Sequence, residues 1–218
     1  MADEKWIPGL RGDMPVSAAA KVALALRLGV VRDRLPAAVF HAHADIENVH
    51  QLRVGTRRAA AALRIFADCM PARLAEKTRR ALRKLRRSAG AARDWDVFLD
   101  MVQTRLAKAA VKERPGLFFL LGFAQGRRDL AQEQLVEAYH ARSDAYLRSI
   151  EEVSDALGRA AKTGKTLRDH AGAMLQQLLS ELESAARADL QSYPALHQVR
   201  ILGKQLRYAM EVFESCFG

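Results

Sequence analysis

Val49 to Met70, VHQLRVGTRRAAAALRIFADCM, returns without a gap as Leu196 to Phe217, LHQVRILGKQLRYAMEVFESCF. His50 falls on His197, Gln51 on Gln198, Arg53 on Arg200, Ala62 on Ala209, Phe66 on Phe213 and Cys69 on Cys216. Val54 with Ile201, Arg57 with Lys204, Leu63 with Met210 and Ile65 with Val212 are conservative matches. A period this long predicts a domain of two similar halves rather than a short-period solenoid. Apolar periodicity alone could recur by chance in any helix. A repeated His-x-x-Arg-x-x-x-Arg/Lys series should not, so the polar face repeats along with the core.

At about 100° per residue, both copies read as amphipathic helices. In the first, Arg53, Arg57 and Arg64 lie to one side of His50, Leu52, Leu63 and Phe66 lie opposite, and Arg58 stands at the border. In the second, His197, Arg200, Lys204 and Arg207 oppose Leu206, Met210 and Phe213. The remaining chain is rich in Ala and Leu, with aromatics at 6% and six prolines, which predicts an all-α fold. Helices are expected at about 17–35, 45–70, 72–88, 94–111, 118–139, 141–161, 167–190 and 195–217. Pro36, Pro71, Gly90, Pro115 and Pro194 serve as breaks. The expected architecture is two antiparallel four-helix bundles, with a tail at 1–14 and halves at 15–114 and 115–218.

The net charge of +10 is concentrated. From His50 to Arg93 there are 13 basic residues against two acids, Asp68 and Glu76, a local +11 that accounts for the whole excess. Arg73, Lys77, Arg80, Arg83, Lys84 and Arg87 cover one half of the third helix, with Leu74, Leu82 and Leu85 on the other. Ordinary solvated faces mix signs; these hold few acids and favour Arg, whose planar fork grips phosphate bidentately. Charge packed this densely repels itself in the compact state, which points to a polyanionic partner.

Other features read as structural. The two cysteines lie on apolar helical faces and are expected as buried thiols in a reducing compartment. MADEKW carries acids and no apolar run, unlike a secretory signal, and Gly116–Ala124 is too short to cross a bilayer. Asp94 and Asp96 are expected to start a helix, with Arg93 beside them. His41, His43 and His50, near Asp45 and Glu47, provide no closed ligand set, so neither a metal nor a cofactor is expected.

VHQLRVGTRR, GAARDWDVFL and LHQVRILGKQLRYAMEVF, in this order, resemble the signature segments of the CHAD family, the conserved histidine α-helical domain. The resemblance runs from about Pro15 to the end. It implies two four-helix bundles related by a pseudo-twofold around a basic channel that binds inorganic polyphosphate. With no secretory signal, no membrane span and few carboxylates on its basic faces, the chain is further expected to be a cytoplasmic protein, associated with polyphosphate granules and not an enzyme. His50, Arg53, Arg57 and Arg58 match the first motif; His197, Arg200, Lys204, Arg207 and Tyr208 match the second. With Arg64, Arg80, Arg83, Lys84 and Arg87 from the basic faces, these are the expected polyphosphate ligands, and sulfate or phosphate ions would fit the same contacts. Ala60 and Gln205 stand where the family often has basic residues, which implies a channel less dense in charge. The counterparts of Arg73–Arg93 would fall beyond Gly218, so the second bundle is expected to be incomplete within this sequence, in a truncated or a short chain.

Two other functions compete. A nucleic-acid-binding helical protein is the runner-up, weakened by basic faces on which Tyr208 is the lone aromatic for stacking. An accessory subunit of a polyphosphate-metabolising enzyme is the third reading. Phosphoryl transfer itself would require metal-holding carboxylates, which the basic faces barely offer, and no Glu-x-Glu-x-Lys motif occurs.

Overall fold

The structure is a computed structural model that describes residues 5–159, 164–188 and 190–217. Among these it is all-α, with six α-helices and no strand beyond one isolated bridge, Pro15 to Thr166. The helices are α1 (Val16–Phe40), α2 (Glu47–Ile65), α3 (Ala72–Ala107), α4 (Arg114–Arg159), α5 (Leu167–Ala186) and α6 (Tyr193–Phe213). None is long and apolar enough to cross a membrane.

Eight helices become six because two expected breaks do not break. Gly90 lies inside α3, and the expected boundary near Ala141 lies inside α4. An interior glycine costs about 1 kcal/mol relative to alanine, which packing readily offsets. Pro36 likewise lies within α1 rather than ending it. The helix end expected near Ala161 lies outside the described residues. Asp94 and Asp96 consequently start no helix; they are in the middle of α3.

Two compact units emerge. The first comprises 1–29, 58–79 and 149–218; the second comprises 30–57 and 80–148. α1 to α4 each lend residues to both.

In the first unit, α5 begins with a complete capping box, in which Thr166 and Asp169 satisfy each other's backbone N–H. α6 begins with Ser192 accepting from the Ala195 N–H and Pro194 in its first turn. Ile7 and Leu10, ahead of Pro15, are buried, and the Arg27 guanidinium donates to the Lys5 carbonyl at 2.7 Å. The two copies of the repeat converge on His170 of α5. Its ring stacks on Phe66 at 6.2 Å and meets Phe213 edge-on at 6.0 Å, two residues that occupy the same repeat position. His170 Nε2 lies 2.8 Å from the Ile65 carbonyl.

In the second unit, Leu28's stripe continues as Val31 and Leu35 of α1, both buried as the periodicity requires. α1 packs on α2 where Gly55 approaches Val30 and Val31. α3 and α4 are joined by a fully buried ion pair, Arg128 Nε to Asp96 Oδ1 at 2.9 Å. Arg128 also donates to Gln132, which in turn donates to the Ala38 and Val39 carbonyls at 3.0 and 2.7 Å. Thus the last turn of α1, where carbonyls lack helical partners, is satisfied by α4.

The apolar face of the repeat is not equally covered in both copies. Val49 and Leu63 are fully buried, whereas their counterparts Leu196 and Met210 are 49% and 56% exposed. Met210, expected in the core, therefore lies outside it, and Glu211 is buried in its place. Cys69 and Cys216 are buried, unbridged thiols whose ionisation is pushed up by burial.

Candidate polyanion-binding faces

The second unit holds the densest cluster. α2 presents His50, Arg53 and Arg57, and α3 presents Arg93 beside them. Arg53 is half-buried, with its Nη1 donating to the Arg86 carbonyl of α3 at 3.2 Å. Gly90 makes room for it, since a Cβ there would stand 3.0 Å from that nitrogen. The helix therefore keeps its glycine where an arginine from α2 leans across it.

Electrostatics sharpen the cluster. Burial pushes the His50 imidazolium below the ordinary histidine value of 6.5; the positive charges of Arg93, Arg57 and Arg53 push the same way, and Glu47 partly opposes them. Glu47 lies 4.0 Å from His50. Burial is also the main cause lowering Arg53, with Arg57 and Arg93 adding to it and Asp94 opposing. An arginine remains charged despite such a shift. The charged forms of His50 and Arg53 are thus disfavoured by burial and by neighbouring cations, which an anion would relieve.

Arg80, Arg83, Lys84 and Arg87 are exposed on α3. By helical geometry Arg83 and Arg87 lie within about 60° of Gly90, on the flank facing α2, while Lys84 points about 120° away. Arg57, Arg83, Lys84, Arg87 and Arg93 make no ion pair among the described residues, unlike Lys77 with Glu152 at 2.7 Å or Arg105 with Glu113 at 2.9 Å.

The first unit holds the rest. His197 and Arg200 are exposed on α6, Lys204 is partly covered, and His197 stacks on Tyr193 at 5.9 Å. Tyr208 is buried, with the Arg207 guanidinium 4.8 Å above its ring. Arg58 is held by Glu211, its Nε 2.9 Å from Oε2. Arg64 occupies a cleft of about 210 Å³ with Met174, Gln177, Leu178 and Glu181 of α5 and Gln205 of α6. Its buried Nε has no hydrogen-bond partner, and burial, then Arg79, lower its ionisation.

Reciprocity is visible here. Arg58 of the first copy meets Glu211 of the second, while Arg64, the equivalent of Glu211, shares a cleft with Gln205, the equivalent of Arg58.

Sequence reasoning omitted Arg93 as a ligand because it read the Arg93–Asp94 segment as a helix start. It also omitted Arg128 and Gln132. The available signal was their place on the stripe of Ala124, Ala131 and Leu135, polar residues at core positions of a helix. Among the described residues no group of three or more His, Cys, Asp or Glu side chains is gathered to hold a metal ion.

The chain is similar to two solved structures. One is the crystal structure of the CHAD domain from the plant Ricinus communis, 25% identical over 97% of this chain and 70% of that one, with a TM-score of 0.76. The other is PptA from Streptomyces chartreusis, 17% identical over 92% of this chain and 76% of that one, with a TM-score of 0.64, a likeness of fold. No curated protein matches the chain. The CHAD domain family model matches residues 22–218, and the chain belongs to the CHAD family.

Proposed function

We propose that the chain is a non-enzymatic binder of inorganic polyphosphate, held by the Arg, Lys and His side chains of the two repeated helices and of α3. The observation that carries this reading is the His50, Arg53, Arg57 and Arg93 cluster, in which His50 and Arg53 are held among like charges, whereas Lys77 and Arg128 are paired with carboxylates. Membership of a family that resemblance links to polyphosphate supports the choice of anion. The reciprocal contacts of Arg58 with Glu211 and of Arg64 with Gln205 support a pseudo-twofold between the copies, as does their shared contact with His170. Under this reading the protein resides in the cytoplasm on polyphosphate granules.

One observation favours a second reading. Tyr193 is 79% exposed and stacked with His197, a pair on which a single-stranded base could stack. Competition of long-chain polyphosphate against duplex DNA and single-stranded RNA at two salt concentrations separates the readings. Polyphosphate is expected to win at equal phosphate, and RNA winning would transfer the site to nucleic acid.

The residue-level test uses equivalent positions. Arg57→Glu with Lys204→Glu replaces two attractive contacts by repulsive ones and should abolish polyphosphate binding with helical content unchanged. Arg159→Glu makes the same charge change at the end of α4 and should have only a small general effect. Equal losses from Arg57→Glu and Arg159→Glu would reduce the protein to a diffuse cation.

A further inference from the structure

The start of α4 is unusual for a water-facing helix. Phe119, Phe123 and Leu130 are 72%, 53% and 51% exposed, and with Gly126 they fall on one face at i, i+4, i+7 and i+11. Phe123 is anchored edge-on to Trp95 at 6.1 Å, so the face is held rather than loose. Gly122 and Gly126 are glycines inside a helix where an added Cβ would meet nothing within 4 Å. Nothing among the described residues requires them to be small. Exposed glycines beside exposed aromatics suit the close approach of a second helix.

The stripe is self-complementary. Its residues are symmetric about the midpoint of Phe123 and Gly126, so an antiparallel copy places each bulky residue against its complement. Phe123 of one copy lies over Gly126 of the other, and Phe119 lies against Leu130. Every contact occurs twice, as an isologous interface requires.

The exposed parts of Phe119, Phe123 and Leu130 amount to roughly 300 Å² per copy, taking about 150–250 Å² for a whole aromatic side chain. A standard interface takes roughly 800 Å² per partner, so the residues flanking the stripe must supply the larger part of it. Patches of about this size on soluble chains are often functional. We propose that this face of α4 is an antiparallel homodimer interface, with a second copy of the chain as its occupant.

Sedimentation equilibrium over a micromolar concentration range tests it. The wild-type chain should dimerise. Gly126→Gln should weaken the dimer by roughly tenfold or more, because the side chain blocks the seat of Phe123. The same change should leave the fold intact or more stable, because glutamine is the better helix former. Salt should tighten the dimer by screening the +10 charge of each copy, the opposite of its effect on polyphosphate binding. A wild-type chain that stays monomeric overturns the proposal, as does a dimer that survives both Gly126→Gln and Phe119→Glu. Recruitment of the monomer to anionic lipid vesicles through Phe119 would assign the face to a membrane and also overturn it.

Discussion

His50 carries the clearest chemical consequence at the scale of a single residue. Burial and three neighbouring arginines hold its folded-state ionisation low, so the native protein resists the proton that the unfolded chain accepts. Its contribution to stability is present above the ordinary histidine value and is lost as pH falls through 6.5 toward the folded-state value. A bound polyanion would reverse the local field, raise the imidazolium, and draw in a proton on binding. Polyphosphate affinity should therefore rise as pH falls from about 8 to about 6, by up to roughly tenfold per unit of difference between free and bound states. His50→Gln should flatten that rise. Titration calorimetry in buffers of different ionisation enthalpy measures the proton directly, and an identical proton uptake in His50→Gln would remove His50 from the site. The repeat exposed His50, Arg53 and Arg57 in the sequence. Arg93 was hidden because its role depends on which α3 residues Arg53 leans across, a contact between residues far apart in the chain.

At the scale of the element, the informative contrast is between α2 and α6. Their sequences match, yet Leu63 is buried and Met210 is exposed, because the burial of a helix face is decided by what packs on it. Periodicity identified the apolar stripe of α2 for this reason and placed Phe213 of α6 in the core, but misplaced Met210. Helix existence was legible throughout. Helix ends were not, since Gly90 marks a close approach inside α3 rather than a stop. The Asp96–Arg128 pair is the element-level counterpart: two charges fully removed from water to join α3 and α4. One oxygen of Asp96 and one nitrogen of Arg128 remain unpartnered, so the pair leaves little margin. Arg128→Met alone should cost about 3–5 kcal/mol because it strands a buried carboxylate. Asp96→Leu with Arg128→Met should recover much of this. Urea unfolding of the two single variants and the double variant measures the coupling. Additive losses would mean that the pair is energetically silent.

For the molecule as a whole, charge is the controlling quantity. A +11 block in a chain of +10 opposes its own compaction, and a ligand that neutralises it binds the native state in preference to the unfolded one. Saturating polyphosphate at 100 times its dissociation constant should stabilise the fold by about 2.7 kcal/mol. For a domain of this size that raises the melting temperature by roughly 5–10 °C. High sulfate should act in the same direction. Absence of any shift, in buffer where the protein is folded, would count against the polyanion reading. Charge distribution, helical class and family membership were legible without coordinates. The division into units was not, because each is assembled from segments distant in sequence.

That division sets an order of events at the ribosome. Everything in the unit made of 30–57 and 80–148 has been synthesised once Arg148 is added, whereas the other unit includes 1–29 together with 149–218. At about 5–20 residues per second, its first segment waits roughly ten to forty seconds for its last. Ala19, Ala23, Leu24 and Leu28, all buried at the end, spend that interval without their final neighbours. A nascent chain stalled once Arg148 has cleared the exit tunnel should therefore protect 80–148 from protease while leaving 16–29 open to it.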